Sequence, residues 1–130
     1  MAAAGLEVSP LRVVNANFDD IVAYNLVWRL LQDDPGIDAL FCASDLMAIG
    51  ACRAIEDLGK RVGSDIFVVG FDDIPIAKYL YGGLTTVRQD FYRMGYVAGQ
   101  AIYDRIEGTS KAHTDDVMYE LVVRGSARAG

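Results

Sequence analysis

The sequence predicts an α/β fold built on a largely parallel sheet, and three observations predict it. The run IFVVGFDD (66–73) is continuously apolar and ends abruptly in two carboxylates, the pattern of a strand covered on both faces. Strand-like and helix-like stretches alternate along the chain, as βαβα units do. At 130 residues, 52% hydrophobic and 23% charged, the chain is one domain's worth and long enough to bury a core.

In chain order, Leu11–Asn15 reads as a short apolar strand after the Ser9-Pro10 break. Asp19 and Asp20 can then cap a helix to about Gln32, their charge favoured at its N-terminus, and Asp33-Asp34-Pro35-Gly36 stops it. Ala39–Ala43 is a second strand. Ser44 or Asp45 caps the next helix, where Met47, Ala51, Ala54, Ile55 and Leu58 share one face and Gly59 is placed at the C′ position. Ile66–Phe71 makes a third strand and Leu84–Arg88 a fourth. A long helix from about Phe91 to Glu107 ends at Gly108, and Val117–Val123 is the last strand before a small-residue tail. That last helix carries one apolar stripe through Met94, Ala98, Ala101 and Ile102, and tyrosines 92, 96 and 103 along another side. A helix apolar on more than one side expects more than one neighbour, from another part of the protein or another subunit.

Several function classes find little support. No apolar stretch approaches the roughly 20 residues that span a bilayer. The opening AAAGLEVSP has neither a basic region nor a long apolar one, so no signal peptide is expected. The net charge is −6 and the twelve basic residues are scattered, so this chain is not expected to bind DNA by itself. Cys42 and Cys52 lack ligand spacing and read as free thiols. His113 stands alone in a polar loop, no nucleophile elbow occurs, and Gly82-Gly83 precedes a strand instead of opening a helix over a phosphate. The enzyme alternative is a magnesium-dependent phosphotransfer domain built on Asp72-Asp73, but Lys78 lies too far into the connection to serve it. No catalytic residue, metal or cofactor is assigned.

Four segments lie just beyond predicted strands: Asn17-Phe18-Asp19, Ser44-Asp45, Asp72-Asp73 and Gln89-Asp90. In an open parallel sheet such positions converge on one edge, where ligands bind. Carboxylates there accept from neighbouring hydroxyls, Gln89 both donates and accepts, and Phe18 can stack on the apolar face of a sugar. Plainer roles stand beside these. Asp72-Asp73 also suits an Asx-turn, Ser44 and Asp45 suit helix caps, and Phe18 suits a staple against Ile21 or Val22. Trp28 suits core packing.

Three segments, SDLMAIGACRAI (44–55), GFDD (70–73) and LTTVRQDF (84–91), occur in the order and spacing of the lactose-repressor/galactose-repressor family of transcription regulators. The chain resembles the C-terminal part of that family's effector-binding domain over nearly its whole length. AAAGLEVSP resembles the close of a family helix, and YELVVRGS resembles the final strand.

The resemblance implies a truncated periplasmic-binding-protein-like (type I) fold, a three-layer parallel-sheet lobe facing a second lobe across a sugar or small-metabolite effector. It implies that Asp72 binds effector hydroxyls with Gln89 beside it and that Phe18 takes the stacking position. Ser44 stands where the family often has Asn or Asp, and Gly82-Gly83 replaces a frequent Pro-Pro. It implies a cytoplasmic homodimer or larger assembly, paired through Leu46, Ile49, Tyr79 and Leu80. Operator DNA would be bound through an N-terminal headpiece lying outside these residues, as does the first lobe. The helix over 91–108 is then expected to pack on that lobe or on a partner subunit. A periplasmic sugar-binding protein of a transporter is the alternative that shares the fold.

Overall fold

The structure, a computed structural model, describes Gly5, residues 9–109 and residues 119–128. The elements are α1 (Asp20–Asp33), β1 (Ala39–Phe41), α2 (Asp45–Asp57), β2 (Phe67–Asp72), β3 (Thr85–Gln89), α3 (Phe91–Ile106) and β4 (Tyr119–Val122), with 3-10 turns at Pro10–Arg12 and Ala77–Tyr79. The strands form one sheet in the order β1-β2-β3-β4. β1, β2 and β3 run parallel, and β4 is antiparallel to β3. The sheet is therefore mixed but mostly parallel, with β4 entering from the opposite end.

Local chemistry sets the helices. The Asp19 carboxylate accepts from the Val22 amide at 2.8 Å and begins α1. Ser44 Oγ accepts from the Met47 amide at 3.2 Å and begins α2, leaving Asp45 in the first turn. Gly59 and Gly108 adopt left-handed φ values of 72° and 70° just past the ends of α2 and α3, the conformation a helix stop favours.

α2 is the centre of the fold. Its buried residues Ala48, Ala51, Cys52, Ala54 and Ile55 share one core with Val27 and Leu31 of α1 and with Ile66, Val68 and Leu84. The approach to α1 is closest at Gly50, where a methyl group would overlap the Asp20 carbonyl oxygen. Trp28, half-buried, packs against this core as its mid-helix position anticipates.

Registers place Ala39, Phe41, Phe67, Val69, Phe71, Val87 and Leu121 on one face of the sheet and Leu40, Val68, Gly70 and Thr86 on the other. The second face is the core side. The first remains open, with Phe41 66% and Leu121 57% exposed. α3 buries none of its residues, and Tyr92, Tyr96, Ile102, Tyr103 and Ile106 are all exposed.

One sequence expectation differs from the structure, and another lies partly outside the described residues. Leu11–Asn15 is not a strand. It begins in the 3-10 turn and continues without a ladder, because β1 pairs only with β2 and offers it no hydrogen-bonded partner. A strand needs a neighbour to satisfy its backbone, and apolar composition alone does not supply one. The last strand spans only Tyr119–Val122 among the described residues; Val117, Met118 and His113 lie outside them.

The segment after β4 stitches the sheet from below. Ser126 is fully buried; its Oγ donates to the Val68 carbonyl at 2.7 Å and accepts from the Thr85 amide at 2.8 Å. Its backbone carbonyl accepts from the Val68 amide, and its amide donates to the Gly83 carbonyl. Thr85 Oγ1 accepts from the Arg124 amide and bonds the Ala127 carbonyl at 2.8 Å.

Candidate functional site

The carboxyl ends of β2 and β3 bring two predicted site residues together. Gln89 Nε2 donates to Asp72 Oδ1 at 3.1 Å, and both side chains are half-buried. Asp72 and Asp73 both have left-handed backbones, with φ of 116° and 55°, a conformation costly for residues that carry a Cβ. The strain turns two successive carboxylates in different directions, and they divide the work.

Asp73 faces the protein. It accepts from Arg88 Nε at 2.7 Å and pairs with Arg124 at 2.7 Å, its side chain only 9% exposed. Burial pushes its carboxyl up, but the hydrogen bonds and charges of Arg88 and Arg124 outweigh that and hold it below the ordinary aspartate range. Among the described residues, Asp72 is left with Gln89 alone. Burial raises its carboxyl, the Gln89 hydrogen bond lowers it, and the nearby Asp45 charge raises it again, for a net upward shift. A half-buried carboxylate without a cation partner, next to an amide with spare hydrogen-bonding capacity, suits recognition of a polyhydroxyl ligand.

That arrangement costs stability. A raised carboxyl pKa means the folded state prefers the proton, so stability falls as pH rises through the window between the unfolded and folded values. Asp72→Asn keeps an acceptor for Gln89 and removes the charge. It is expected to stabilise the chain at pH 7 by about 0.5 kcal/mol, with no gain at pH 3, as read by urea unfolding. A loss at pH 7 would mean that the charge is compensated in the fold.

The other predicted residues are placed separately. Ser44 is buried and engaged as the cap of α2, so its hydroxyl serves the backbone first. Phe18 is 68% exposed and lines a cavity of about 610 Å³ between residues 12–18 and β1. The cavity reaches Ala43 and Met47, neighbours of Ser44, but its lining includes none of Ser44, Asp72 and Gln89. Ile21 and Val22, the residues a staple from Phe18 would meet, are exposed as well. Asp90 caps α3 by accepting from the Arg93 amide at 2.9 Å. Of the residues assigned to subunit pairing, Leu46 and Tyr79 are exposed and Ile49 and Leu80 half-buried.

Sequence reasoning missed one residue of the site, Arg124, and gave another, Asp45, a different role. Asp45, read as a helix cap or ligand, is fully buried and accepts from Thr86 Oγ1 at 2.6 Å and from the Ile74 amide at 2.8 Å. Arg124 was assigned nothing. The signal for Asp45 was Gly70, since a glycine inside a strand marks close approach by another group. Cys42 and Cys52 are free; burial and then the Asp45 charge push the Cys42 thiol up to about 12, and burial raises Cys52 as well. Both are protonated at neutral pH and unsuited to nucleophilic chemistry. Among the described residues no cluster of potential ligands could hold a metal ion, and no helix is long and apolar enough to cross a membrane.

An open, mostly parallel sheet with a hydrogen-bonding pair at its carboxyl edge is the arrangement in which α/β lobes hold small molecules. Known proteins agree with that class. Residues 1–127 match the periplasmic binding protein-like domain, and the chain belongs to that family. The ribose operon repressor of Halalkalibacterium halodurans is 38% identical over 122 residues, 91% of this chain and 36% of its own length. The structure of the transcriptional regulator CelR with cellobiose superposes with a TM-score of 0.88 at 32% identity, over 97% of this chain and 39% of that one. The lac repressor dimer, bound to operator and an anti-inducer, superposes with a TM-score of 0.78 at 31% identity, over 85% and 39%. The similar proteins are regulators of the lactose-repressor type, and the chain matches their effector-binding domain. It spans about two fifths of the length of each of these three.

Proposed function

We propose that this chain forms one wall of the effector cleft, together with the dimer surface, of a sugar- or small-metabolite-responsive transcriptional repressor. The observation that carries this reading is the Asp72–Gln89 pair: a carboxylate held, among the described residues, without a cation, at the carboxyl edge of a parallel sheet, in a family whose similar members are named as repressors. Asp72 accepts from effector hydroxyls, Gln89 donates and accepts beside it, and Phe18 supplies an apolar platform. Ser44 lies on the adjoining helix start. The parent protein works in the cytoplasm and is not an enzyme. Effector binding changes the angle between this lobe and a second one, shifting the population that binds operator DNA through a separate headpiece. α3 packs on that second lobe or on a partner subunit.

Support for pairing comes from the exposed apolar side chains of α3 and of the open sheet face, among them Tyr92, Tyr96, Ile102, Phe41 and Leu121. In light scattering the chain is expected to run as a homodimer or larger assembly; a monodisperse monomer would overturn this. The deciding experiment is to sequence the source gene upstream of the Met1 codon. An in-frame lobe led by a helix-turn-helix is expected. An in-frame signal peptide would instead make the protein a transporter's sugar-binding component.

A further inference from the structure

We propose that Asp45 is a positioning residue for the effector site, its buried carboxylate clamping the turn that presents Asp72 to the start of α2. The inference rests on the reading of Asp72 as an effector ligand and goes beyond it, since Asp45 is itself fully buried.

The geometry is specific. Asp45 is fully buried in the first turn of α2, where the helix N-terminus favours a negative charge. Its two oxygens serve different elements: Oδ1 accepts from Thr86 Oγ1 on β3, and Oδ2 accepts from the Ile74 amide, immediately after Asp72-Asp73. β2 makes room for it. A Cβ at Gly70 would overlap Asp45 Oδ1 and press within 3.0 Å of Leu84 Cδ2. A carboxylate on α2 thus ties β3 to the exit of a turn that is strained at Asp72 and Asp73. A cap for α2 needs none of this, because Ser44 already performs that task.

The clamp has an electrostatic side. The groups that act on the Asp72 carboxyl are Gln89 from β3 and Asp45 from α2, while the neighbouring cations Arg88 and Arg124 are taken up by Asp73. The Asp45 charge therefore helps to keep Asp72 raised. Because Leu46 follows Asp45 directly and lies exposed on α2, the clamp also ties the effector turn to the surface assigned to subunit pairing.

The test uses the 130-residue chain with Asp45→Asn and Thr86→Val variants, followed by NMR. Three quantities are read: the carbon titration of the Asp72 carboxyl, amide exchange at Ile74, and shifts of the Gln89 side-chain amide on adding ribose or cellobiose. In Asp45→Asn the Asp72 midpoint is expected to fall toward the ordinary aspartate value. Ile74 exchange should quicken by about tenfold or more, and the sugar-induced shifts should weaken. A general loss of stability alone would not move the Asp72 midpoint. A folded Asp45→Asn chain with Asp72 titration and Ile74 exchange unchanged overturns the proposal. If that variant does not fold, Thr86→Val decides. It removes one of the two donors at nearly constant shape, and Ile74 exchange no faster than in the parent chain would overturn the proposal equally. Should Asp45→Asn shift Asp72 while no sugar response depends on Asp72, the positioning role stands and the effector reading falls. Sugar shifts that need Asp72 but ignore Asp45→Asn would leave the effector reading intact and remove the clamp.

Discussion

Replacing Gly50 with alanine is expected to destabilise the chain by about 3 kcal/mol or more, the largest effect of any single methyl group considered. Alanine is normally the better helix former by about 1 kcal/mol, so the expected loss runs against propensity. The reason is what the methyl would meet. Its position overlaps the Asp20 carbonyl oxygen and approaches the Tyr24 amide nitrogen at 3.2 Å, and both are backbone atoms of α1. No rotamer change relieves such a contact; the two helices must separate along their whole interface. Gly99 is the internal control, since a methyl there meets nothing within 4 Å. Gly99→Ala is expected to be neutral or stabilising by about 0.5–1 kcal/mol. Urea unfolding of the two variants side by side checks the pair. Equal small effects would mean that α1 and α2 are less tightly apposed than their backbones indicate.

Asp73→Ala is expected to cost about 2 kcal/mol or more at pH 7, because the change leaves two guanidinium groups facing a vacated site. Most of the cost lies at Arg124, whose side chain is 16% exposed; Arg88, at 49%, recovers water and keeps its contact with Glu120 at 3.3 Å. The sign of the pH dependence follows from the depressed folded-state pKa of Asp73. Its stabilisation is fully present above the unfolded value of about 3.9 and is lost as pH falls through the lower folded value. The gap between parent and Asp73→Ala should thus be wide at pH 7 and narrow steadily below about pH 4. A gap independent of pH would assign the loss to packing instead of to the ion pairs.

These two positions show what the sequence made legible and what it withheld. α2 was readable almost residue by residue, because Ser44, the stripe through Met47, Ala51, Ala54 and Ile55, and Gly59 are local signals spaced within one helix. The Asp72–Gln89 pair was also legible, since β2 and β3 each announce their ends and parallel neighbours bring those ends together. Asp73 was harder. Its partners are Arg88 and Arg124, and the second lies far along the chain with no periodicity to connect it. Asp45 looked like a surface cap because charged residues beginning a helix usually are one; only its depth below the Gly70 backbone distinguishes it. Leu11–Asn15 failed for a related reason. Apolar, β-branched composition fits a sheet, but pairing depends on which backbone edges are available, and composition carries no record of that.

Ser126 gives the lobe an order of assembly. The groups it joins, the Val68 carbonyl and the Thr85 amide, lie 58 and 41 residues earlier in the chain. Contacts of that span form slowly, and a ribosome delivers residue 126 after every helix and strand it secures. The nascent chain can pair β2 with β3 as they emerge, but the buried serine that joins the Val68 carbonyl to the Thr85 amide is added only at the end. A nonsense codon between Val122 and Ser126 would therefore be expected to yield a chain with all its named elements and a weakened β2–β3 junction, more open to cellular proteases than the parent chain.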